Sequence, residues 1–129
     1  MSVTDPYILV GNGAKFIFSR PDEFNYDIKQ IAGALSRLCR FTGHTSEFYS
    51  VAQHSVFCSR IASPEYALEA LLHDGSEAFI ADLSSPLKGL LPEYKAMEAP
   101  IQEAIYEHFG VMTAVGGDKS KFVHHADMV

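Results

Sequence analysis

Apolar residues recur three and four positions apart through most of this 129-residue chain, which is the helical spacing. Ile28, Ile31, Ala32, Leu35 and Leu38 share one face of a helix that Asp27 is suited to cap and that should run to about Cys39. Phe48, Val51, Ala52, Val56 and Ile61 supply the apolar positions of a second helix, expected to begin near Ser46 with Glu47 in its first turn. Ser63-Pro64-Glu65 is a start signal for a third, since serine caps and proline suits the first helical position. That helix carries Leu68, Leu71 and Leu72 and then His73-Asp74-Gly75-Ser76-Glu77. Ser85-Pro86 should open a short helical turn. Leu91-Pro92-Glu93 opens a longer helix with Tyr94, Met97, Ile101, Ile105 and Phe109 in register, kinked at Pro100 and ended at Gly110. After the turn Gly116-Gly117-Asp118, a last helix is expected from Lys119 to Met128.

Strand character is confined to the N-terminal region. Tyr7-Ile8-Leu9-Val10 and Lys15-Phe16-Ile17-Phe18 flank Gly11-Asn12-Gly13, the pattern of a small β-hairpin. Such a ribbon is marginal alone and should pack on helices. The expected class is therefore all-α with a small hairpin, in one domain spanning 1–129.

With 47% hydrophobic and 20% charged residues, the chain has the composition of a globular protein that can bury a core without disulfides. Its net charge of −6 disfavours duplex nucleic acid, which needs a basic face, but leaves room for a small anion held by an arginine and a metal. No stretch is long and apolar enough for a membrane span, and Met1 to Pro6 carry neither a basic segment nor a long apolar run, so no secretory leader is expected. Cys39 and Cys58 are read as reduced, and the chain as cytoplasmic.

The chemistry concentrates at His73-Asp74, two metal-ligand types side by side before a glycine. On a continuous helix Glu77 would lie beside both, placed to orient or deprotonate water. One His-Asp pair cannot hold a metal tightly, so further ligands must come from elsewhere. His54 lies eight residues before the link Ala62-Ser63-Pro64 and His73 nine after it, so antiparallel neighbours would bring the two level. Cys58, four residues after His54, makes a His-Cys pair a further option, although a small buried cysteine is more often a core residue. Near the C-terminus His124, His125 and Asp127 are all ligand types, and spacing does not choose among them.

His54, His73-Asp74 and Asp127, in that order, resemble the H…HD…D pattern of the HD-domain phosphohydrolase superfamily. The likeness is to its 5′-deoxynucleotidase and deoxynucleotide-triphosphohydrolase branch, with its small phage and bacterial members. Arg40-Phe41-Thr42-Gly43-His44, Phe48 to Ser55, His73 to Glu77 and Asp82 to Lys88 are similar to blocks of that group, and the likeness runs from Tyr7 to Val129. It implies an HD-type helical bundle with His54, His73, Asp74 and Asp127 as metal ligands. It implies Glu77 as the acid that activates water or assists the leaving oxygen, working beside Asp74. Arg40 would hold the substrate phosphate, Phe41 would lie near the nucleoside, Asp82 would recognise the sugar, and Lys88 would add a phosphate contact. Family members continue past the last aspartate, whereas this chain stops two residues after Asp127.

The expected activity is hydrolysis of a deoxynucleotide phosphoester, from a dNMP or a dNTP, with a divalent metal: Mn, Co, Fe, Ni, Zn or Mg. Two other readings remain open: a catalytically weak nucleotide-sensing module of the same fold, or a cyclic-nucleotide or alarmone phosphodiesterase. The expected partner is a small nucleotide, and apolar helical faces leave room for a homodimer or larger homo-oligomer.

Overall fold

The structure is a computed structural model, and it describes residues 5–111. The expected turn at 116–118, the last helix at 119–128, and with them His124, His125 and Asp127, lie outside the described residues. A two-stranded antiparallel hairpin, β1 (Tyr7–Leu9) and β2 (Lys15–Ile17), opens the described chain, with Ile8 opposite Phe16. Six helices follow: α1 (Ile28–Ser36), α2 (Val51–Ile61), α3 (Ala67–Leu72), α4 (Glu77–Ile80), α5 (Ser85–Lys88) and α6 (Pro92–His108). The protein is thus mostly helical with a small N-terminal hairpin, as the periodicity implies.

The hairpin is held by what it inserts. Phe16 is fully buried and stacks on Phe79 of α4, ring centroids 4.2 Å apart, with Phe24 and Tyr26 edge-on to the same pair. Ile31 and Leu35 of α1, Val51 of α2 and Ile101 and Ile105 of α6 complete this core. One strand residue therefore ties the ribbon to the helical body, since an aromatic ring contributes both area and ring-edge contacts.

Local chemistry sets the helix ends. Asp27 caps α1 by accepting from the Lys29 N–H. α2 begins at Val51, five residues later than the apolar pattern suggests. The reason is a capping box: Ser50 accepts from the Gln53 N–H while the Gln53 side chain accepts from the Ser50 N–H. Upstream, Arg40 and Val51 bond back to Tyr49 and Leu38, a pairing that excludes Ser46–Tyr49 from the helix. α6 runs through Pro100, and Gly110 takes a φ of +74° just beyond its end.

The expected third helix is interrupted. α3 ends at Leu72 and α4 starts at Glu77, with His73–Ser76 forming a turn between them. Gly75 is required there, because a Cβ would come 3.1 Å from the Leu72 carbonyl oxygen and 3.4 Å from the Ile105 side chain.

Removing the Phe16 ring should cost about 3–5 kcal/mol of unfolding free energy, the usual range for a buried aromatic cut to alanine. Chemical denaturation of Phe16→Ala checks this, and a loss below about 1 kcal/mol would show that the hairpin is not anchored by the ring.

Candidate metal centre

The His73-Asp74 turn is fixed by a glutamine from another helix. Gln102 of α6 is buried; its amide donates to the Leu72 carbonyl at 2.7 Å and its oxygen accepts from the Ser76 N–H at 3.0 Å. The Leu72 carbonyl also accepts from the Gly75 N–H at 2.9 Å, so the amide adds a second bond there and satisfies the Ser76 N–H, one contact on each side of the break.

α2 and α3 are packed neighbours, and the level positions expected for His54 and His73 are found: their rings lie 5.4 Å apart, and both residues are buried. His73 Nδ1 is against the Ala70 carbonyl oxygen, which can only accept, so Nδ1 carries a proton and Nε2 is the ring nitrogen that faces the site. That nitrogen faces Asp74 Oδ2 at 3.1 Å, and His54 Nε2 is 3.8 Å from the same oxygen. An imidazole lone pair and a carboxylate oxygen in contact repel unless a proton or a metal ion lies between them. Cys58, fully buried one turn after His54, has its Sγ 3.5 Å from His54 Nε2, and the donor atoms of His54, Cys58 and His73 all lie within 4.8 Å of one another. This buried His-Cys-His cluster can bind a metal ion, with Asp74 beside it. The expectation that Cys58 is a core residue is met in its burial, and its sulfur also belongs to the group that could hold a metal. Its spacing of four from His54 is the signal in the sequence that points to it.

Acidic groups extend the site. Glu77 is 6% exposed, at the start of α4. Burial first, then the Asp74 carboxylate and a hydrogen bond with it, then Asp82, raise the Glu77 pKa well above its ordinary value. Asp82 is raised too, by burial and Asp74, while its bond to Glu77 and the charges of Arg40 and Lys88 lower it. Burial pulls the Lys88 pKa down, but its bond to Glu98 at 3.0 Å, with Glu77 and Asp74 behind it, outweighs this and leaves it raised. Arg40, Asp74, Glu77, Asp82 and Lys88 therefore share one electrostatic environment around the histidines.

Two strained segments aim these groups. Ala81 has φ +69° and ψ 176°, a conformation nearly confined to glycine, and the Tyr94 hydroxyl lies 2.9 Å from the carbonyls on both sides of its amide, those of Ile80 and Ala81. That turn brings Asp82 back toward Glu77. Phe41 and Thr42 have φ of 56° and 55°, and the Arg40 guanidinium lies 4.5 Å from the Phe41 ring centroid and 5.6 Å from that of Tyr49. Phe41 is exposed beside the arginine.

These features define a mostly helical protein with a buried imidazole, thiol and carboxylate group opening onto a mixed patch of acids and bases. No family model matches the chain. It is 42% identical over 123 residues to the uncharacterized protein YfdR of Escherichia coli, a match covering 95% of this chain and 67% of YfdR. It is 27% identical over 128 residues to an uncharacterized protein of Rhodobacter capsulatus, covering 92% of this chain and 65% of that protein. The chain belongs to the family of YfdR and spans about two thirds of the length of these relatives. Among the described residues no helix is long and apolar enough to cross a membrane.

Two outcomes follow from this geometry. Gln102→Leu would take the side-chain partner from the buried Ser76 N–H and one of two donors from the Leu72 carbonyl, which keeps the Gly75 N–H, so denaturation should show a loss of about 1–3 kcal/mol. A variant as stable as the parent would mean that water replaces the amide. For Glu77, a folded-state pKa above the ordinary 4.5 means that burying the neutral acid contributes stability fully present below that pH and lost as pH rises. In chelator-treated protein, Glu77→Gln should gain stability on the parent as pH rises from 4.5 toward about 11. Parallel stability profiles would contradict this.

Proposed function

We propose that this protein is a metal-dependent phosphohydrolase of the HD type that acts on a deoxynucleotide phosphoester. The observation that carries the reading is the facing pair His73 Nε2 and Asp74 Oδ2, 3.1 Å apart, with the His54 nitrogen 3.8 Å from the same oxygen: a donor set that calls for a cation. His54, His73 and Asp74 would hold the ion, and the resemblance adds Asp127, outside the described residues, as a fourth ligand. A divalent ion there would supply charge neutralisation at the phosphate and water activation near neutral pH.

The chain's own groups have distinct tasks in this reading. Glu77, bonded to Asp74, is the acid–base group that moves a proton to or from the attacking water or the leaving oxygen. Arg40 offers a planar fork for phosphate oxygens, while Phe41 offers an exposed ring to a base or sugar face. Lys88, held by Glu98, adds positive charge on the other side of the acids. Asp82, bonded to Glu77 and within the field of Arg40, would accept from a sugar hydroxyl. Arg40 and Lys88 would bind the phosphate together with the ion held by His54, His73 and Asp74, a local positive charge that would offset the chain's net charge of −6.

The test is turnover of a panel of dNMPs and dNTPs with Mn, Co, Mg or Zn, read as released phosphate, pyrophosphate or triphosphate. Glu77→Gln should lower kcat about 10²–10⁴-fold with metal content unchanged. Arg40→Ala should lower kcat/KM about 10–100-fold, the loss of one charge-assisted contact. His54→Ala and Asp74→Ala should lose the metal by elemental analysis. Absence of product with every metal and nucleotide would overturn the activity, and unchanged metal content in both ligand variants would overturn the site.

A further inference from the structure

We propose that Cys58 is itself a ligand of this centre, as a thiolate, and that it tilts the site toward zinc, cobalt or ferrous iron and away from magnesium and manganese. The inference rests on the reading that a metal binds at His54 and His73, and it adds a donor that the H…HD…D pattern does not contain.

The geometry carries it. In a tetrahedral site with metal–nitrogen bonds of about 2.0–2.1 Å and a metal–sulfur bond of about 2.3 Å, the nitrogen–sulfur edge is about 3.5 Å and the nitrogen–oxygen edge about 3.3 Å. His73 Nε2 is 3.1 Å from Asp74 Oδ2, close to that edge, while Cys58 Sγ is 3.5 Å from His54 Nε2 and 3.8 Å from its Nδ1, so the sulfur lies against the imidazole and the ring turns to share an ion with it. The separations are 3.8 Å from His54 Nε2 to Asp74 Oδ2 and at most 4.8 Å within the His-Cys-His group. His54 and Cys58 are one turn apart on α2, whose capping box fixes the start of the helix. His73 is held by its bond to Ala70, and the turn that carries it by Gln102. Three separate anchors thus preorganise the donors.

Coordination breaks the Cys58 S–H bond. The proton passes to solvent, and the sulfur keeps the electron pair and donates it to the ion, so no electron is transferred and no co-reactant is needed. A soft sulfur donor with two imidazoles and one carboxylate suits borderline ions, whereas magnesium wants an octahedron of oxygens. In this reading α2 supplies both His54 and Cys58, the turn after α3 supplies His73 and Asp74, and the ion expands beyond four-coordinate when Asp127 or water joins it.

The experiment is cobalt(II) titration of the chelator-stripped full chain, followed by absorption. Bound cobalt should give a near-ultraviolet sulfur-to-cobalt charge-transfer band together with visible d–d bands of tetrahedral intensity. The charge-transfer band should vanish in Cys58→Ala and Cys58→Ser and persist in Cys39→Ala, and zinc affinity of the Cys58 variants should fall about tenfold or more while manganese affinity changes little. The wild-type spectrum decides the matter even if a Cys58 variant fails to fold. Cobalt bound in equal amount without the charge-transfer band, or a band lost only with Cys39, overturns the role of Cys58 while leaving a metal at the histidines. No cobalt bound at all overturns both. A charge-transfer band in a protein that turns over no nucleotide upholds the thiolate ligand and overturns the phosphohydrolase reading.

Discussion

The buried amide of Gln102 is the interaction on which the site depends. A helix that ran from Ala67 through Ile80 without a break would place His73, Asp74 and Glu77 at ordinary helical positions, with Asp74 turned about 100° from His73. The break after Leu72 lets neighbouring residues point at the same place, so that His73 Nε2 and Asp74 Oδ2 meet at 3.1 Å. Such a break exposes a carbonyl and an N–H inside the protein, which is costly unless both find partners. Gln102 supplies both from α6, and Gly75 lets Ile105 of that helix come close. The turn that carries His73 and Asp74 is therefore braced by α6, the last helix of the described chain.

Around that turn, stability is given up for chemistry. Ala81, Phe41 and Thr42 hold positive φ, each at a cost on the order of 1–3 kcal/mol where the conformation is rare for the residue. Each lies next to a group the site uses: Asp82 follows Ala81, and Arg40 precedes Phe41. Glu77, Asp74 and Asp82 add mutual repulsion in a part-buried place. A bound cation would relieve that repulsion, so the same feature that weakens the metal-free fold strengthens the hold on metal. The aromatic core of Phe16, Phe24, Tyr26 and Phe79 lies behind α4 and carries the strain.

Much of this is legible in the sequence, for physical reasons that differ from residue to residue. The hairpin and the helix order follow from periodicity and turn residues. The approach of His54 to His73 follows from equal distances along two antiparallel helices, which is simple arithmetic on helical rise. The later start of α2 is not legible from the apolar pattern, because Phe48 fits the helical face but is exposed, and the capping box at Ser50 outweighs it. The break at His73–Ser76 escapes periodicity as well: its cause is Gln102, a residue 26 positions beyond Ser76. Cys58 is read from the sequence as packing, and only the fold shows its sulfur beside the His54 ring. Asp127 stands on the resemblance alone, since it lies outside the described residues.

The central claim is that the turn braced by Gln102, facing α2, gathers donors around one cation. Anomalous diffraction from crystals of the protein grown with zinc, collected on both sides of the zinc edge, measures this directly. The account predicts one strong peak about 2.0–2.3 Å from His54 Nε2, His73 Nε2 and an Asp74 carboxylate oxygen. A peak found only on surface residues, or a histidine pair closed around ordered water with no anomalous signal, would contradict it.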